Sequence, residues 1–432
     1  MERVIAQANR LEGDISIPGD KSLSHRAVMF NAAAEGTATI YNFLNGADCI
    51  ATISCMEALG AKVSSADGYN TVIVQGAGGN GLQEPTDVLQ ASNSGTTMRL
   101  ISGLLAAQPF LSVVTGDASL RSRPMDRVVK PLTMMGAQIL GRKGGATAPL
   151  AIKGGGLHGM EYNTPVASAQ VKSALILAAL YADGETVITE PSASRDHTER
   201  LLRAMGANIN SQDTTIRIKP LSSPLKAQSV RVPGDISSAA FWLVAGVIHP
   251  NSKIVVHNVG VNPTRTGIID ALRGMGAVLT IDNLREEGGE PVADIIVTSS
   301  DLYGTVIEGA IIPSLIDELP VIALAACFAK GDTIIRDAAE LRVKESDRIA
   351  TTIEELSKMG ARIDELPDGM IIHGTGKLLG ATVGSHDDHR LAMTLGIAGV
   401  VAQGETTVQN ADSVDISYPG FWKDIAGLQN MH

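Results

Sequence analysis

The chain has 432 residues, 44% hydrophobic but only 3% aromatic, so it is long enough for two or three globular domains with cores of Ala, Val, Ile and Leu. Its formal net charge of -11 argues against nucleic acid or an anionic membrane surface as the main partner, since either favours a basic protein face. Cys49, Cys55 and Cys327 form no CxxC pair, the start has no apolar signal core and no apolar run is long enough to span a membrane, which together predict a soluble cytoplasmic protein with reduced, buried thiols.

The first readable element is a strand that passes through Pro18-Gly19-Asp20 into the helix start "PGDKSLSHRAVMF". Ser22 or Ser24 is the expected cap there, and Lys21 and Arg26 would strengthen the pull of the free helix N–H groups on an anion. A small-residue helix, a Gly or Pro turn and a β-branched strand follow in "NAAAEGTATIYN". The same device recurs five more times, with turns at Gly36, Pro109, Gly184, Pro250, Gly331 and Gly404, spaced 66 to 81 residues apart. A second marker, Gly-Ala after a helix and before a strand, appears in "MEALGAKV", "TMMGAQIL", "RAMGANIN", "RGMGAVLT" and "SKMGARID", where Gly suits a left-handed helix stop.

Six ordered copies imply six α/β units, and a second Pro-Gly-Asp at 233–235, offset by 215 residues from the first, groups them three plus three. The expected fold class is therefore α/β, an α+β layered arrangement of two similar domains. One domain is discontinuous, 1–19 plus 236–432, and the other runs 20–235, with crossovers near residues 19 and 235 where glycine offers hinge freedom. The second copy, "PGDISSAAFW", keeps none of the first copy's Lys, His or Arg and reads as a segment that only turns and packs.

Further polar clusters follow in chain order. "ASNSGTTMRLISG" sets Asn93, Gly95 and Thr96 before an apolar helix carrying Arg99, either an ordinary turn and cap or a close backbone approach to a phosphate or carboxylate. "QGAGGNG" lacks the Lys and the strand-to-helix context of a nucleotide loop and reads as a turn. "SLRSRPMDRVVKPL" gathers Arg121, Arg123, Arg127 and Lys130, "ASAQVKSALILAAL" opens a helix with Ser168, Ala169 and Gln170, and "PSASRDHTERLL" puts Arg195 before a capping Asp196. Asp317 leads into a strongly apolar helix, where burial and neighbours would tune a carboxylate.

"ELRVKESDRIATTIEELSKMG" then alternates Arg342, Lys344, Glu345, Asp347 and Arg348 at the head of an amphipathic helix, and "HDDHRLAMTLGIAGV" ends the series with Asp388, His389 and Arg390. His386 and His389 have a spacing a metal would accept, but no second ligand cluster is visible and no metal or other cofactor is expected. Each cluster sits at the N-terminal end of a small-residue apolar helix. If those ends converge, their dipoles and cations select a small polyanionic substrate in a chain that is acidic overall.

"PGDKSLSHRA", "RVKESDR" and "DDHRLAM", in this order and across nearly the whole chain, resemble the 5-enolpyruvylshikimate-3-phosphate synthase family of enolpyruvyl transferases. The resemblance implies two domains of three βαβαββ repeats each, the inside-out α/β barrel, closing around shikimate 3-phosphate and phosphoenolpyruvate in a monomer. It assigns Lys21, Ser22, Arg26, Ser168, Ala169, Gln170, Arg195, Asp317 and Lys344 to shikimate 3-phosphate. Phosphoenolpyruvate would take Lys21, Asn93, Gly95, Arg123, Gln170, Arg348 and Arg390, with Asp317, Glu345 and Lys21 as acid/base groups. Two positions depart from the pattern: Ser92 stands where the family usually has Gly, and Ile416 where one branch has a Lys that contacts phosphoenolpyruvate. The sister enzyme acting on UDP-N-acetylglucosamine carries a Cys shortly before its loop Arg-Pro; here "DASLRS" precedes Arg123-Pro124 without one.

Overall fold

A computed structural model describes residues 1–430. The helices that bear on the site are, in chain order, α1 (Lys21–Ala32), α2 (Ala47–Ala58), α3 (Gly95–Ala106), α4 (Ala169–Ala179), α5 (His197–Ala204), α6 (Ile236–Ile248), α7 (Leu319–Cys327), α8 (Arg348–Lys358) and α9 (His389–Val401). Six of them, α1, α3, α4, α6, α7 and α9, are buried on nearly every face, and all but α1, which carries Lys21, His25, Arg26 and Asn31, are mainly apolar; all thirteen residues of α6 and of α9 are buried. A helix that is apolar all round has no face to give to water and must lie inside. By contrast α8 buries only Arg348, Ile349, Thr352, Glu355 and Leu356, one stripe of an amphipathic helix.

The chain divides into two compact units: Met1–Pro18, Pro233–Glu286 and Pro291–His432 form unit 1, and Gly19–Val232 with Glu287–Glu290 form unit 2. Among the described residues there are six sheets, three in each unit, and each unit has its own continuous apolar core. The repeat is plainest at residues 89–153. Leu89–Gln90 runs parallel to Leu111–Thr115 across α3, Thr147–Lys153 returns antiparallel to it, and Gln138–Gly141 closes the edge. Parallel pairing across a helix followed by an antiparallel hairpin is the βαβαββ order.

The two Pro-Gly-Asp segments occupy equivalent places in this scheme. Leu11–Ser16 pairs with Ser252–His257 in unit 1 before the chain enters α1, and Val230–Arg231 pairs with Ile40–Tyr41 in unit 2 before the chain enters α6. Glycine is needed at both on steric grounds. Neither Gly19 nor Gly234 has a left-handed φ; a Cβ on Gly19 would lie 1.9 Å from the Asn42 carbonyl oxygen, and one on Gly234 would lie 2.6 Å from Ile17 Cγ1. Close packing, not backbone freedom, excludes a side chain there. The Gly-Ala markers do use the left-handed conformation: Gly60, Gly136, Gly206, Gly276 and Gly360 have φ between 89° and 112°.

α3 and α4 pack so closely that a Cβ on Gly103 would lie 2.0 Å from the Ala174 carbonyl oxygen. Alanine normally stabilises a helix interior by about 1 kcal/mol over glycine, but here overpacking of backbone on backbone outweighs that gain. Gly103→Ala is expected to destabilise unit 2 by ~2 kcal/mol net, read as a lower urea midpoint; an unchanged midpoint would show that the helices separate freely.

Cys49, Cys55 and Cys327 are buried and form no disulfide among the described residues, and burial pushes the Cys55 and Cys327 thiols up to about 12, which keeps them protonated and inert. Among the described residues no single helix is long and apolar enough to cross a membrane.

Candidate functional site

In unit 2 the cap of α1 is Asp20, which accepts from the Leu23 backbone N–H at 2.8 Å, and neither serine takes that role. Asp20 is the residue just outside the first turn, where a carboxylate reaches back to the free N–H groups; Ser22 and Ser24 are already inside the helix. Ser22 Oγ instead accepts from Arg195 Nη1 at 3.4 Å, and Ser24 Oγ accepts from the Leu44 N–H. Lys21 Nζ lies 2.5 Å from Asp48 Oδ2 on α2. Arg26 is only 2% exposed: Nε donates to Thr198, Nη2 to Ser173 and Nη1 to the Ser22 carbonyl, so it braces α1 against α4 and α5.

His25 is fully buried, with Nδ1 2.7 Å from Thr52 Oγ1, and the thread continues from Thr52 to Thr97 and on to Ser94 at the head of α3. Burial, with Lys21 and Arg26 adding to it, holds this imidazole well below its ordinary range and keeps it neutral. A histidine whose folded pKa is depressed loses stability for the protein as pH falls through the unfolded value of about 6.5, because only the unfolded chain then takes up the proton. Against His25→Asn, the stability advantage of the native chain is therefore expected to shrink from pH 7 to pH 5 in thermal unfolding; a pH-independent gap would show that His25 titrates alike in the folded and unfolded chain.

Ser94 caps α3 through the Thr97 N–H, which leaves Gly95 as the first helical residue, and Asn93 bridges Asp117 Oδ2 and Arg123 Nη2 at 2.6 Å each. Ser92 adopts φ 52°, the left-handed conformation that makes glycine the easier residue at this position. A Cβ on Gly95 would lie 2.9 Å from Arg99 Nη1, so the helix start is kept bare on the side the guanidinium crosses. Arg99 Nη1 donates to Gln170 Oε1, and Gln170 Nε2 donates to Thr96 Oγ1 at 2.9 Å. Ser168 caps α4 through Val171, with Ala169 as the first helical residue. The heads of α3 and α4 are thus tied by a hydrogen-bonded bridge of Arg99, Gln170 and Thr96.

Unit 1 holds the carboxylates. Asp317 lies in the turn before α7, and its Oδ1 accepts from Lys344 Nζ at 3.3 Å and from Arg348 Nη1 at 3.1 Å. Arg348 Nη2 also donates to Glu345 Oε2 at 2.6 Å, and its Nε donates to Asp388 Oδ2 at 2.7 Å. Burial disfavours this guanidinium's charge, but Asp388, Glu345 and Asp317 outweigh it and push its pKa above the ordinary range. Burial likewise opposes the Asp388 charge, and Arg348 more than reverses that, holding Asp388 ionised while it also caps α9 through the Arg390 N–H. Asp347 caps α8, and Arg342 pins it at 2.9 Å. Arg390 is the second residue of α9, with Nη1 3.7 Å from Glu318 Oε1. Ile416 is half-buried at the end of the turn Ala411–Ile416.

Two expectations change here. His386 has carboxylate neighbours that the sequence did not reveal: its Nε2 lies 2.6 Å from Glu355 Oε1, with Glu354 close by, while His389 is not part of that group. Lys358 Nζ also donates to Glu355 Oε1 at 2.8 Å, so a cation already occupies the carboxylate. The second Pro-Gly-Asp segment is not chemically silent either: Asp235 and Ser237 are buried and bonded to Arg265. Asp48 and Glu318 are missed in the sequence because their partners, Lys21 and Ser237, lie far off along the chain and only the fold brings them near.

The model of the EPSP synthase (3-phosphoshikimate 1-carboxyvinyltransferase) family matches residues 5–425. The chain is 57% identical over 416 residues to a 3-phosphoshikimate 1-carboxyvinyltransferase of Roseiflexus castenholzii, covering 96% of each. It is 53% identical to that of Herpetosiphon aurantiacus, covering 99% of this chain and 100% of the relative. A solved EPSP synthase from Acinetobacter baumannii is 42% identical, with a TM-score of 0.88 over 99% of this chain and 98% of that one.

Proposed function

Since the chain belongs to the EPSP synthase family, we propose that the polar heads of its buried helices divide the work of enolpyruvyl transfer residue by residue. The enzyme transfers the enolpyruvyl group of phosphoenolpyruvate to the 5-hydroxyl of shikimate 3-phosphate in the shikimate pathway of aromatic amino-acid biosynthesis. The hydroxyl oxygen adds to C2 of phosphoenolpyruvate as C3 gains a proton; the tetrahedral adduct then loses phosphate and a C3 proton. One base must act at the hydroxyl, and one group must both give and take a proton at C3.

In this reading Asp317 is the hydroxyl base, and Glu345 with Lys21 exchanges the C3 proton. Lys21, Ser22, Arg26, Ser168, Ala169, Gln170, Arg195, Asp317 and Lys344 hold shikimate 3-phosphate, and Arg26 also donates to the Ser22 carbonyl. Asn93, Gly95, Arg123, Gln170, Arg348 and Arg390, with Lys21, hold phosphoenolpyruvate; guanidinium forks suit its carboxylate and phosphate. The observation that carries the reading is Arg348 donating to Asp317 and Glu345 at once, which sets both carboxylates from a single rigid group. We further take the enzyme to work as a cytoplasmic monomer on these two phosphorylated small molecules.

The assignment is tested by initial rates of phosphate release. Loss of a charge-assisted hydrogen bond worth ~1.5–3 kcal/mol corresponds to a KM increase of about tenfold to a hundredfold. Arg195→Ala should raise KM for shikimate 3-phosphate in that range and leave KM for phosphoenolpyruvate unchanged, and Arg123→Ala should do the reverse. Both variants shifting the same KM would overturn the division.

A further inference from the structure

Five of the six buried helices begin with a side chain that caps its own N–H groups: Asp20, Ser94, Ser168, Asp235 and Asp388. The sixth, α7, has Glu318 in the cap position, and its carboxylate makes no capping bond. Its Oε1 accepts instead from Ser237 Oγ at the head of α6 and faces Arg390 Nη1 at 3.7 Å, while Oε2 is buried without a hydrogen-bond partner among the described residues. Ser237 Oγ in turn accepts from Arg265 Nη2 at 2.7 Å, and Arg265 Nη2 also donates to Asp235 Oδ1 at 3.1 Å. Asp235, Arg265, Glu318 and Arg390 alternate in sign and are all buried within unit 1.

We infer that Glu318 is a positioning residue for Arg390, steadied through Ser237 by the second Pro-Gly-Asp segment. The inference rests on Arg390 binding phosphoenolpyruvate, as proposed above. At 3.7 Å the Glu318 carboxylate attracts the guanidinium without taking one of its hydrogen bonds, so it fixes where the charge sits and leaves the donors for a ligand anion. Ser237 has one proton to give: because Arg265 donates to its oxygen, that proton is directed at Glu318, which orients the carboxylate. A buried alternation of charges is a poor way to gain stability compared with apolar packing of the same volume, whereas holding a binding arginine in one place lowers the ordering cost of binding.

Glu318→Gln keeps the Ser237 acceptor and removes the charge facing Arg390. The variant is expected to raise KM for phosphoenolpyruvate about tenfold, with kcat and KM for shikimate 3-phosphate within about twofold. Ser237→Ala should move the same constant in the same direction by less, which keeps the inference testable if Glu318→Gln fails to fold. In an Arg390→Lys background, Glu318→Gln should add nothing further, since there is no guanidinium left to place. If Arg390→Lys raises KM for phosphoenolpyruvate but Glu318→Gln and Ser237→Ala do not, the positioning role is wrong. Equal shifts in both KM values together with a lowered unfolding midpoint would reduce Glu318 to a structural part and overturn it as well. If Arg390→Lys itself leaves KM for phosphoenolpyruvate unchanged, it is the assignment of Arg390 that fails.

Discussion

Asp317→Asn is expected to lower kcat about a thousandfold, the middle of the range for loss of a general base, while shikimate 3-phosphate still binds measurably by calorimetry. The substitution is nearly isosteric, and the side-chain oxygen that accepts from Lys344 and Arg348 remains. What disappears is the capacity to take a proton from the substrate hydroxyl. Because Arg348 also carries Glu345 and Asp388, the rest of the cluster stays assembled in the variant. An alternative in which Asp317 only orients Lys344 predicts a raised KM with little change in kcat. Turnover within tenfold of the native enzyme would therefore remove Asp317 as the base.

How much of this was legible before any coordinates follows from the kind of signal each feature leaves. The repeats left a periodic one: a helix that must stop and turn into a strand within two residues calls for glycine, and Gly60, Gly136, Gly206, Gly276 and Gly360 all adopt the left-handed conformation that the pattern implied. The placement of polar residues at helix heads was legible for a related reason, since short polar side chains before a long small-residue apolar run are the mark of a helix N-terminus.

Partner choice was not legible. Lys21 meets Asp48 and Arg348 meets Asp388, forty residues along the chain in the second case, and pairing across elements follows no period. A run such as "RVKESDR" invites pairing within itself, yet Lys344 turns to Asp317 and Arg342 also reaches Glu365. The close packing that excludes a side chain at the two crossover glycines is not legible for the same reason, because it depends on atoms from Asn42 and Ile17 that only the fold brings near. Asp235 and Ser237 leave no signal of their own in the sequence because Arg265, which donates to both, lies about thirty residues further on.

Arg348→Leu should do the most damage of any single change, costing about 3–5 kcal/mol in stability and abolishing turnover. Arg348 is 2% exposed, and its fork serves Asp388 through Nε and Nη2, Asp317 through Nη1 and Glu345 through Nη2. Leucine of similar bulk fills the space but leaves the Asp388 carboxylate, itself fully buried, without its compensating charge. Lysine does not rescue, because one ammonium cannot address three carboxylates in three directions. The diagnostic is the pair: Asp388→Asn in the Arg348→Leu background should recover part of the lost unfolding midpoint, since the stranded charge is gone, and recover no activity, since Asp317 and Glu345 are still unanchored. A double variant no more stable than Arg348→Leu alone would mean that the cost lies in packing and that the buried carboxylate is tolerated.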